Sequence, residues 1–210
     1  MFIDRLDAAR QLAARLTAYR NVEATIVLGI PRGGLQVAAG IAAALQLPLG
    51  IAAVKKVGAP ANPEFAVGAV DDETGQLVDE QLAVELGLAG DQLAGVAANA
   101  RERLRTWMSL MPRVPKMEMG NTAILVDDGV ATGYTARVAV DALRRQGAAR
   151  VVLAVPVAPA DTARWLRSTV DEWVCLQTPD PFYAVGNFFR DWPQLTDDQV
   201  RALLLAGNRM

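Results

Sequence analysis

The sequence predicts an α/β fold in which a central, mostly parallel sheet is flanked by helices. Two observations lead to this class: short apolar runs alternate with helical stretches, and loops of small or polar residues follow the runs. A strand–helix–strand repeat favours parallel pairing because the helix returns the chain to the same end of the sheet. With 210 residues the chain can bury one full core, so we predict a single domain over residues 1–210.

The elements are predicted in chain order. Residues 1–20 have the spacing of an amphipathic helix, whose apolar face would comprise Phe2, Leu6, Ala9, Leu12, Ala13 and Leu16. The charges in this segment leave no apolar core for a signal peptide. The predicted buried strands are residues 25–30, 49–54, 124–126, 150–155 and 170–176. The predicted helices are residues 35–45, 134–145, 161–167 and 196–205, the last with Thr196 as its cap.

Residues 57–120 depart from this alternation and are predicted to form an insert. Its first part, 57–63, is rich in Gly and Pro, whereas 65–70 predicts a strand and 71–75 a turn into a second short strand. Residues 79–110 are predicted to be helical, with a break near Gly87 and Gly90. The insert is therefore expected to contain a hairpin and helices.

Composition excludes several classes of function. The net charge of −2 gives no basic surplus, so nucleic acid is not expected as the main partner. The uncharged stretch 33–54 is interrupted by Gln and Pro, and a buried helix and strand explain it better than a membrane span. The single cysteine, Cys175, is consistent with a reducing cytoplasm. Because the chain has no histidine, Ser-His-Asp machinery and histidine zinc sites are excluded.

Residues 123–135 carry the strongest functional signal. The apolar run ends at Asp127 and Asp128, and a loop of small residues then leads into a predicted helix. Such a loop leaves backbone N–H groups accessible to an anion, and the hydroxyls of Thr132 and Thr135 add donors. The two carboxylates would repel a phosphate, so they are better suited to accept hydrogen bonds from sugar hydroxyls or from water on a divalent cation. Together these features predict a cradle for a ribose 5-phosphate.

This segment resembles the phosphoribosyl pyrophosphate (PRPP) binding motif of type I phosphoribosyltransferases, and thirteen residues match in order and composition. The resemblance implies the fold of that family, with Asp127 and Asp128 holding the ribose 2′ and 3′ hydroxyls. The 5′-phosphate would then be held by Val130, Ala131, Thr132, Gly133, Tyr134 and Thr135. The alternative is an ordinary strand–turn–helix connection in which the two aspartates form a solvated turn and cap.

A second loop, Pro31-Arg32-Gly33-Gly34, follows the first predicted strand. The glycines permit close backbone approach to a ligand, and Arg32 offers a forked, permanently charged donor for phosphate oxygens. In the family that the chain resembles, this loop holds the pyrophosphate and often carries a cis peptide, which here would be Pro31–Arg32 or Arg32–Gly33. The alternative is a surface turn.

Two lysines, Lys55 and Lys56, close the third apolar run. Successive strand residues alternate between faces, so only one of the two can easily point into a site. The resemblance implies a basic residue near the pyrophosphate at this place. We favour Lys56 and leave Lys55 open, and the alternative is a solvated lysine pair.

The resemblance implies transfer of the 5-phosphoribosyl group from PRPP to a nitrogen nucleophile, such as a nucleobase, with release of pyrophosphate. Asp127, Asp128, Arg32 and Lys56 would carry catalysis, and Mg²⁺ would be held by the two aspartates through water. A segment at 177–193 would form a hood over the acceptor, with the aromatic residues Phe182, Tyr183, Phe188, Phe189 and Trp192. For these aromatics we favour the alternative, a hydrophobic flap or a dimer contact. The implied sub-group is one of small phosphoribosyltransferases of poorly specified substrate, in which a homodimer is common.

A rival function is a regulator that binds PRPP without catalysis, because a ligand cradle alone does not separate binding from turnover. Arg101, Arg103 and Arg105 beside Trp107 form one basic patch that could serve such a regulator, although a solvated helix face explains it better. A kinase of the P-loop type is excluded because its Gly-x-x-x-x-Gly-Lys-Ser/Thr loop is missing. The sequence does not specify the acceptor.

Overall fold

The structure is a computed structural model that describes residues 1–59, 62–88 and 90–208, with the backbone alone at 62–65. Its strands, numbered in chain order, are β1 (Thr25–Gly29), β2 (Leu49–Ile51), β3 (Val54–Ala59), β4 (Asn62–Asp71), β5 (Gln76–Val78), β6 (Thr122–Val126), β7 (Arg150–Val157) and β8 (Glu172–Gln177). Its α-helices are α1 (Arg5–Arg15), α2 (Gly33–Leu45), α3 (Glu80–Glu85), α4 (Asp91–Ser109), α5 (Tyr134–Arg145), α6 (Ala160–Arg167) and α7 (Asp197–Gly207).

The central sheet has five strands in the order β2-β1-β6-β7-β8, and all of its neighbouring strands are parallel. One face packs against α1, α2 and α7, and the other packs against α5 and α6. Strands covered on both faces need apolar residues at every position, which is why β1 and most of β6 are buried throughout. The predicted fold class is therefore confirmed.

The insert forms a second, antiparallel sheet with the order β3-β4-β5. Its apolar residues pack against α4 on one side, and β3, β4 and β5 contact α5 on the other. The predicted hairpin and the helical break are present, but β3 and β4 extend into the stretch 57–63 that was predicted as irregular. Residues 60 and 61 of that stretch lie outside the described residues.

The predicted strand at 49–54 was wrong in its extent. Ala52 makes the last hydrogen bond to β1, from its N–H to Gly29 O at 3.0 Å, and a tight turn follows, in which Val54 N–H donates to Ala52 O at 2.8 Å. The pairing stops here because β1 itself ends at Gly29. Lys55 and Lys56 consequently lie within the antiparallel sheet and not at the end of a central strand.

The first helix is shorter than predicted, whereas five of the six residues predicted as its apolar face are buried, namely Phe2, Ala9, Leu12, Ala13 and Leu16. The buried stripe of α1 also includes Arg5 and Ala8, which with Ala9 and Leu12 have the helical spacing i, i+3, i+4 and i+7. Leu6 was expected on this face and is 45% exposed, whereas Arg5 is only 4% exposed. A charged residue therefore heads the apolar stripe, and its partners are found in the site.

The remaining helices agree closely with the sequence. Helix α5 has the predicted limits, and α7 begins after Thr196, whose side chain forms a capping box with Gln199. In the described part of the chain, no helix combines the length and the apolarity that a membrane crossing needs.

Candidate functional site

The two loops singled out in the sequence meet at the carboxyl ends of the adjacent strands β1 and β6. A methyl group added at Gly33 would lie 2.0 Å from Asp128 Oδ2, and one added at Gly34 would lie 2.8 Å from Asp127 Cα. These glycines are therefore required by the carboxylates themselves, in addition to any ligand. The open edge of a parallel sheet is where α/β proteins bind ligands.

Asp128 is held by residues from both ends of the chain. Its Oδ2 accepts hydrogen bonds from Arg5 Nε at 2.7 Å and from Trp192 Nε1 at 3.1 Å. Arg5 also donates from Nη1 to Pro193 O at 2.6 Å, and its guanidinium carbon lies 4.9 Å from the centre of the Trp192 ring. Sequence reasoning missed Arg5, although a charge at the head of the apolar stripe was a usable signal.

Asp127 has a different environment from its neighbour. Its Oδ1 accepts the backbone N–H of Asp128 at 2.8 Å, and Arg5 bonds to Asp128 instead of Asp127. Burial, and then the adjacent charge of Asp128, raise the pKa of Asp127 well above its ordinary value. The two carboxylates are therefore not equivalent in the structure.

The loop that joins β6 to α5 exposes backbone N–H groups. Gly129 and Gly133 have φ values of 154° and 86°, which glycine adopts more easily than other residues. In the described part of the chain, no group accepts the N–H of Ala131, Thr132 or Gly133. The loop also ends at a helix N-terminus, where backbone N–H groups lack helical partners.

Val130, which is also predicted to bind the phosphate, does not share this property. Its N–H donates to Val157 O at 2.9 Å, and its side chain is buried in the core. Val130 therefore anchors the loop to β7 and offers no backbone donor.

Tyr134 connects this loop to the insert. Its hydroxyl donates to Asp79 Oδ2 at 2.6 Å, and Asp79 is the N-cap of α3. Partial burial and the Asp79 hydrogen bond raise the pKa of Tyr134 to about 12. Trp165 of α6 supports the same turn, because its ring lies 6.2 Å from that of Tyr134 and closely covers Gly133. The Tyr134 hydroxyl therefore donates its hydrogen bond within the protein, to Asp79.

Arg32 lies at the other loop, and its preceding peptide bond, Pro31–Arg32, is cis, one of the two bonds predicted. Its guanidinium bonds to Asp197 Oδ1 at 3.1 Å and to Leu195 O at 3.3 Å. The same Asp197 oxygen accepts Trp107 Nε1 at 2.7 Å. Nothing in the sequence signals this pairing of Arg32 with the first turn of α7.

Lys55 belongs to the same positive region. Its pKa is lowered by partial burial and then by the charges of Arg103, Arg32 and Lys56, so each of these cations lies within electrostatic range of Lys55. Because residues alternate along β3, Lys56 projects from the opposite face of the strand. The effect of Arg32 on the pKa of Lys55 therefore favours Lys55 as the lysine that lies near Arg32. The sequence favoured Lys56 for this position.

The other arginines of the basic patch have structural roles. Arg101 donates to Asp71 O and Gly75 O, both at 3.1 Å, and Arg105 Nε donates to Asp72 O at 2.6 Å. These two side chains hold the turn between β4 and β5. Two of the three arginines of the patch therefore support the insert, a role that neither the regulator nor the solvated helix face predicted.

The aromatic residues at 177–193 pack largely inward. Phe189 lies 5.3 Å from Phe2, and Phe182 stacks on Phe188 at 5.2 Å. Tyr183 and Trp192 are the exceptions, with exposed fractions of 80% and 39%. The role of the segment as a hood, a flap or a dimer contact stays a prediction, and Trp192 at its end donates to Asp128 Oδ2.

The two adjacent carboxylates are suited to a cation that binds together with substrate. Among the described residues there is no group of three or more His, Cys, Asp and Glu that could hold an ion. Mg²⁺ typically binds proteins through one or two carboxylates, with water and substrate phosphates completing its shell. Asp127 and Asp128 fit that arrangement.

Comparison with known proteins identifies the family. A family model described as "Phosphoribosyl transferase domain" matches residues 3–188. The chain belongs to this family. A solved structure, that of TT1426 from Thermus thermophilus, superimposes with a TM-score of 0.76 at 38% identity, and the match covers 98% of both chains.

Two curated relatives come from Mycobacterium tuberculosis and are named "Putative phosphoribosyl transferase Rv0571c" and "Putative phosphoribosyl transferase MT0597". Each is 40% identical over 217 residues, which covers 100% of this chain. The chain spans about half the length of these relatives, 47%. The match therefore shows the family of this chain. It does not show that the chain has the activity of the full-length relatives.

Proposed function

We propose that this phosphoribosyltransferase-family chain transfers the 5-phosphoribosyl group of PRPP to a nitrogen nucleophile, with nucleobases as the first acceptors to test. The observation that carries the proposal is the meeting of three chemistries at one sheet edge. Two carboxylates and a loop whose N–H groups have no acceptor among the described residues follow β6, and Arg32 follows β1, with Lys55 of β3 within electrostatic range of Arg32. These suit a ribose, a phosphate and a pyrophosphate respectively.

In this proposal Asp127 and Asp128 accept hydrogen bonds from the ribose hydroxyls. The N–H groups of Ala131, Thr132 and Gly133, with the hydroxyls of Thr132 and Thr135 and the first turn of α5, bind the 5′-phosphate. Thr132 is exposed, so its hydroxyl is accessible to a ligand.

The pyrophosphate would be bound by Arg32 and by a lysine of β3, with Lys55 supported by its closeness to Arg32. Gly33 and Gly34 let the backbone of this loop approach the ligand, and Pro31 begins it. Arg32 is half-exposed and bonded to Asp197, so a pyrophosphate would compete with that carboxylate for the guanidinium. Arg103 adds positive charge from α4.

Phosphoribosyl transfer depends more on the stabilisation of separated charges than on proton transfer. The bond from C1 of the ribose to pyrophosphate breaks, and its electron pair leaves with the pyrophosphate. The nitrogen nucleophile then bonds to C1 and loses its proton. Fixed cations at the leaving group and carboxylates at the sugar lower the barrier by binding the separated charges in place. When bound, Mg²⁺ would add charge neutralisation at the pyrophosphate, held by Asp127 and Asp128 through water.

The test is pyrophosphate release from PRPP with magnesium across a panel of bases and amines, with PRPP binding measured by calorimetry. Asp127→Asn with Asp128→Asn should abolish turnover. Because the double variant also leaves the buried Arg5 without its carboxylate, it should be less stable, and circular dichroism at the assay temperature must show that it is folded. Asp161→Asn, on the exposed surface of α6, is the matched control and should behave as the wild type. Unchanged turnover in the double variant would refute the proposed role of the aspartates. Binding without release for every acceptor would favour the regulator.

A further inference from the structure

The carboxylate of Asp128 is fixed through one of its two oxygens. Both donors that reach it, Arg5 Nε and Trp192 Nε1, bond to Oδ2. No N–H or hydroxyl group of the described residues donates to Oδ1. A carboxylate oxygen has capacity for more than one donor, so Oδ1 is the oxygen available to a ligand.

Arg5 has little freedom to do anything else. It is 4% exposed, and its guanidinium is bonded on two sides, to Asp128 and to Pro193 O, with the Trp192 ring against it. A buried guanidinium is costly unless it is paired and hydrogen-bonded, so these contacts define one stable arrangement. The arrangement also fixes Asp128, because two donors from different directions restrict the rotation of a single carboxylate oxygen.

Trp192 is itself supported by the protein. Its ring stacks near Phe189 at 6.5 Å, and a methyl group at Gly186 would lie 2.6 Å from it. With Arg5 also against the ring, Trp192 is positioned to donate its N–H to Asp128 Oδ2 while part of its ring stays exposed.

We propose that Arg5 and Trp192 are positioning residues that hold Asp128 Oδ2, so that Oδ1 is presented to a ribose hydroxyl of the substrate. The inference rests on the proposed function. It makes the recognition of the sugar dependent on both terminal segments of the chain, whereas the proposed pyrophosphate contacts come from the loop after β1, from β3 and from α4.

This division gives a selective test with two probes, PRPP and inorganic pyrophosphate, titrated by calorimetry with magnesium. Trp192→Phe removes the N–H and keeps a ring beside Arg5. It should weaken PRPP binding about tenfold, as expected for one hydrogen bond to a charged group. Pyrophosphate, which has no ribose, should bind within about twofold of the wild type. Trp173→Phe, a partly buried tryptophan on β8, is the matched control and should change neither affinity.

Arg5 is tested by a graded pair of variants. Arg5→Lys keeps the charge and loses the forked donor, so it should retain more PRPP affinity than Arg5→Gln. Arg10→Gln, on the exposed side of the same helix, is the control. Melting temperatures identify any variant that fails to fold, in which case Trp192→Phe decides alone.

The outcomes separate the inference from the proposed function. Equal losses of PRPP and pyrophosphate affinity, or no loss of PRPP affinity, would show that Arg5 and Trp192 are merely structural and would overturn the inference. A wild-type protein that binds neither probe would overturn the proposed function itself. Selective loss of PRPP binding supports both.

Discussion

Asp128 and Arg32 follow two neighbouring strands, and each forms an ion pair. In both pairs the carboxylate also accepts a hydrogen bond from a tryptophan N–H. Asp128 is bonded by Arg5 and Trp192, whereas Arg32 is bonded by Asp197, which accepts Trp107. The Arg5–Asp128 pair is buried, with 4% and 13% of the side chains exposed, whereas Arg32 and Asp197 are 49% and 35% exposed.

This difference in burial separates a permanent support from a contact that a ligand can replace. Breaking a buried pair leaves an uncompensated charge away from water, which is expensive. Breaking an exposed pair returns both charges to solvent at little cost. The comparison therefore predicts that Arg5 contributes mainly to the architecture of the site and Arg32 mainly to binding.

The largest expected effect is on stability. Arg5→Ala should lower the free energy of unfolding by about 3 kcal/mol, because Asp128 loses its buried cation. Arg32→Ala should cost less than about 1 kcal/mol, because its ion pair is half-exposed. Urea denaturation of both variants measures the two values. Similar costs for the two arginines would contradict the comparison.

The second prediction concerns the contact between the loop after β1 and the loop after β6, which a larger residue at position 33 would disrupt. Gly33→Ala should destabilise the protein by roughly 1–3 kcal/mol, because the added methyl group has no room beside Asp128 Oδ2. Gly95→Ala, in the middle of α4 with no neighbour within 4 Å, should instead stabilise it by up to about 1 kcal/mol. Thermal unfolding of the pair checks this, and a neutral Gly33→Ala would show that Asp128 can move aside.

The smallest effect concerns the competition at Arg32. Asp197→Asn removes the charge that pairs with the guanidinium, so pyrophosphate affinity should rise about two- to fivefold, as for the loss of a weak exposed ion pair. Asp198→Asn, the exposed neighbour in the same helical turn, is the control and should have no effect. Calorimetry at low salt is the measurement. A fall in affinity would mean that Asp197 positions Arg32 and does not compete for it.

Structural features that depend on residues close together in the sequence could be predicted, whereas features that depend on distant residues could not. The limits of α5, the capping box at Thr196 and the buried β6 were all readable, because period and capping depend on residues a few positions apart. The end of β2 was not readable, because it depends on where β1 stops. The exposure of Leu6 was missed because Leu6 lies at the margin of the apolar stripe, where burial depends on how α1 is turned against the rest of the protein.

The sequence by itself determined the fold class, the two loops and the family, since strand–helix alternation and the segment at 123–135 are local patterns. Only the tertiary structure decided how the charges are paired. Arg5 lies 123 positions from Asp128, and Trp192 lies 64 positions from it. Such contacts leave no periodic trace in a single sequence, because each depends on the packing of segments that meet only when the sheet has formed.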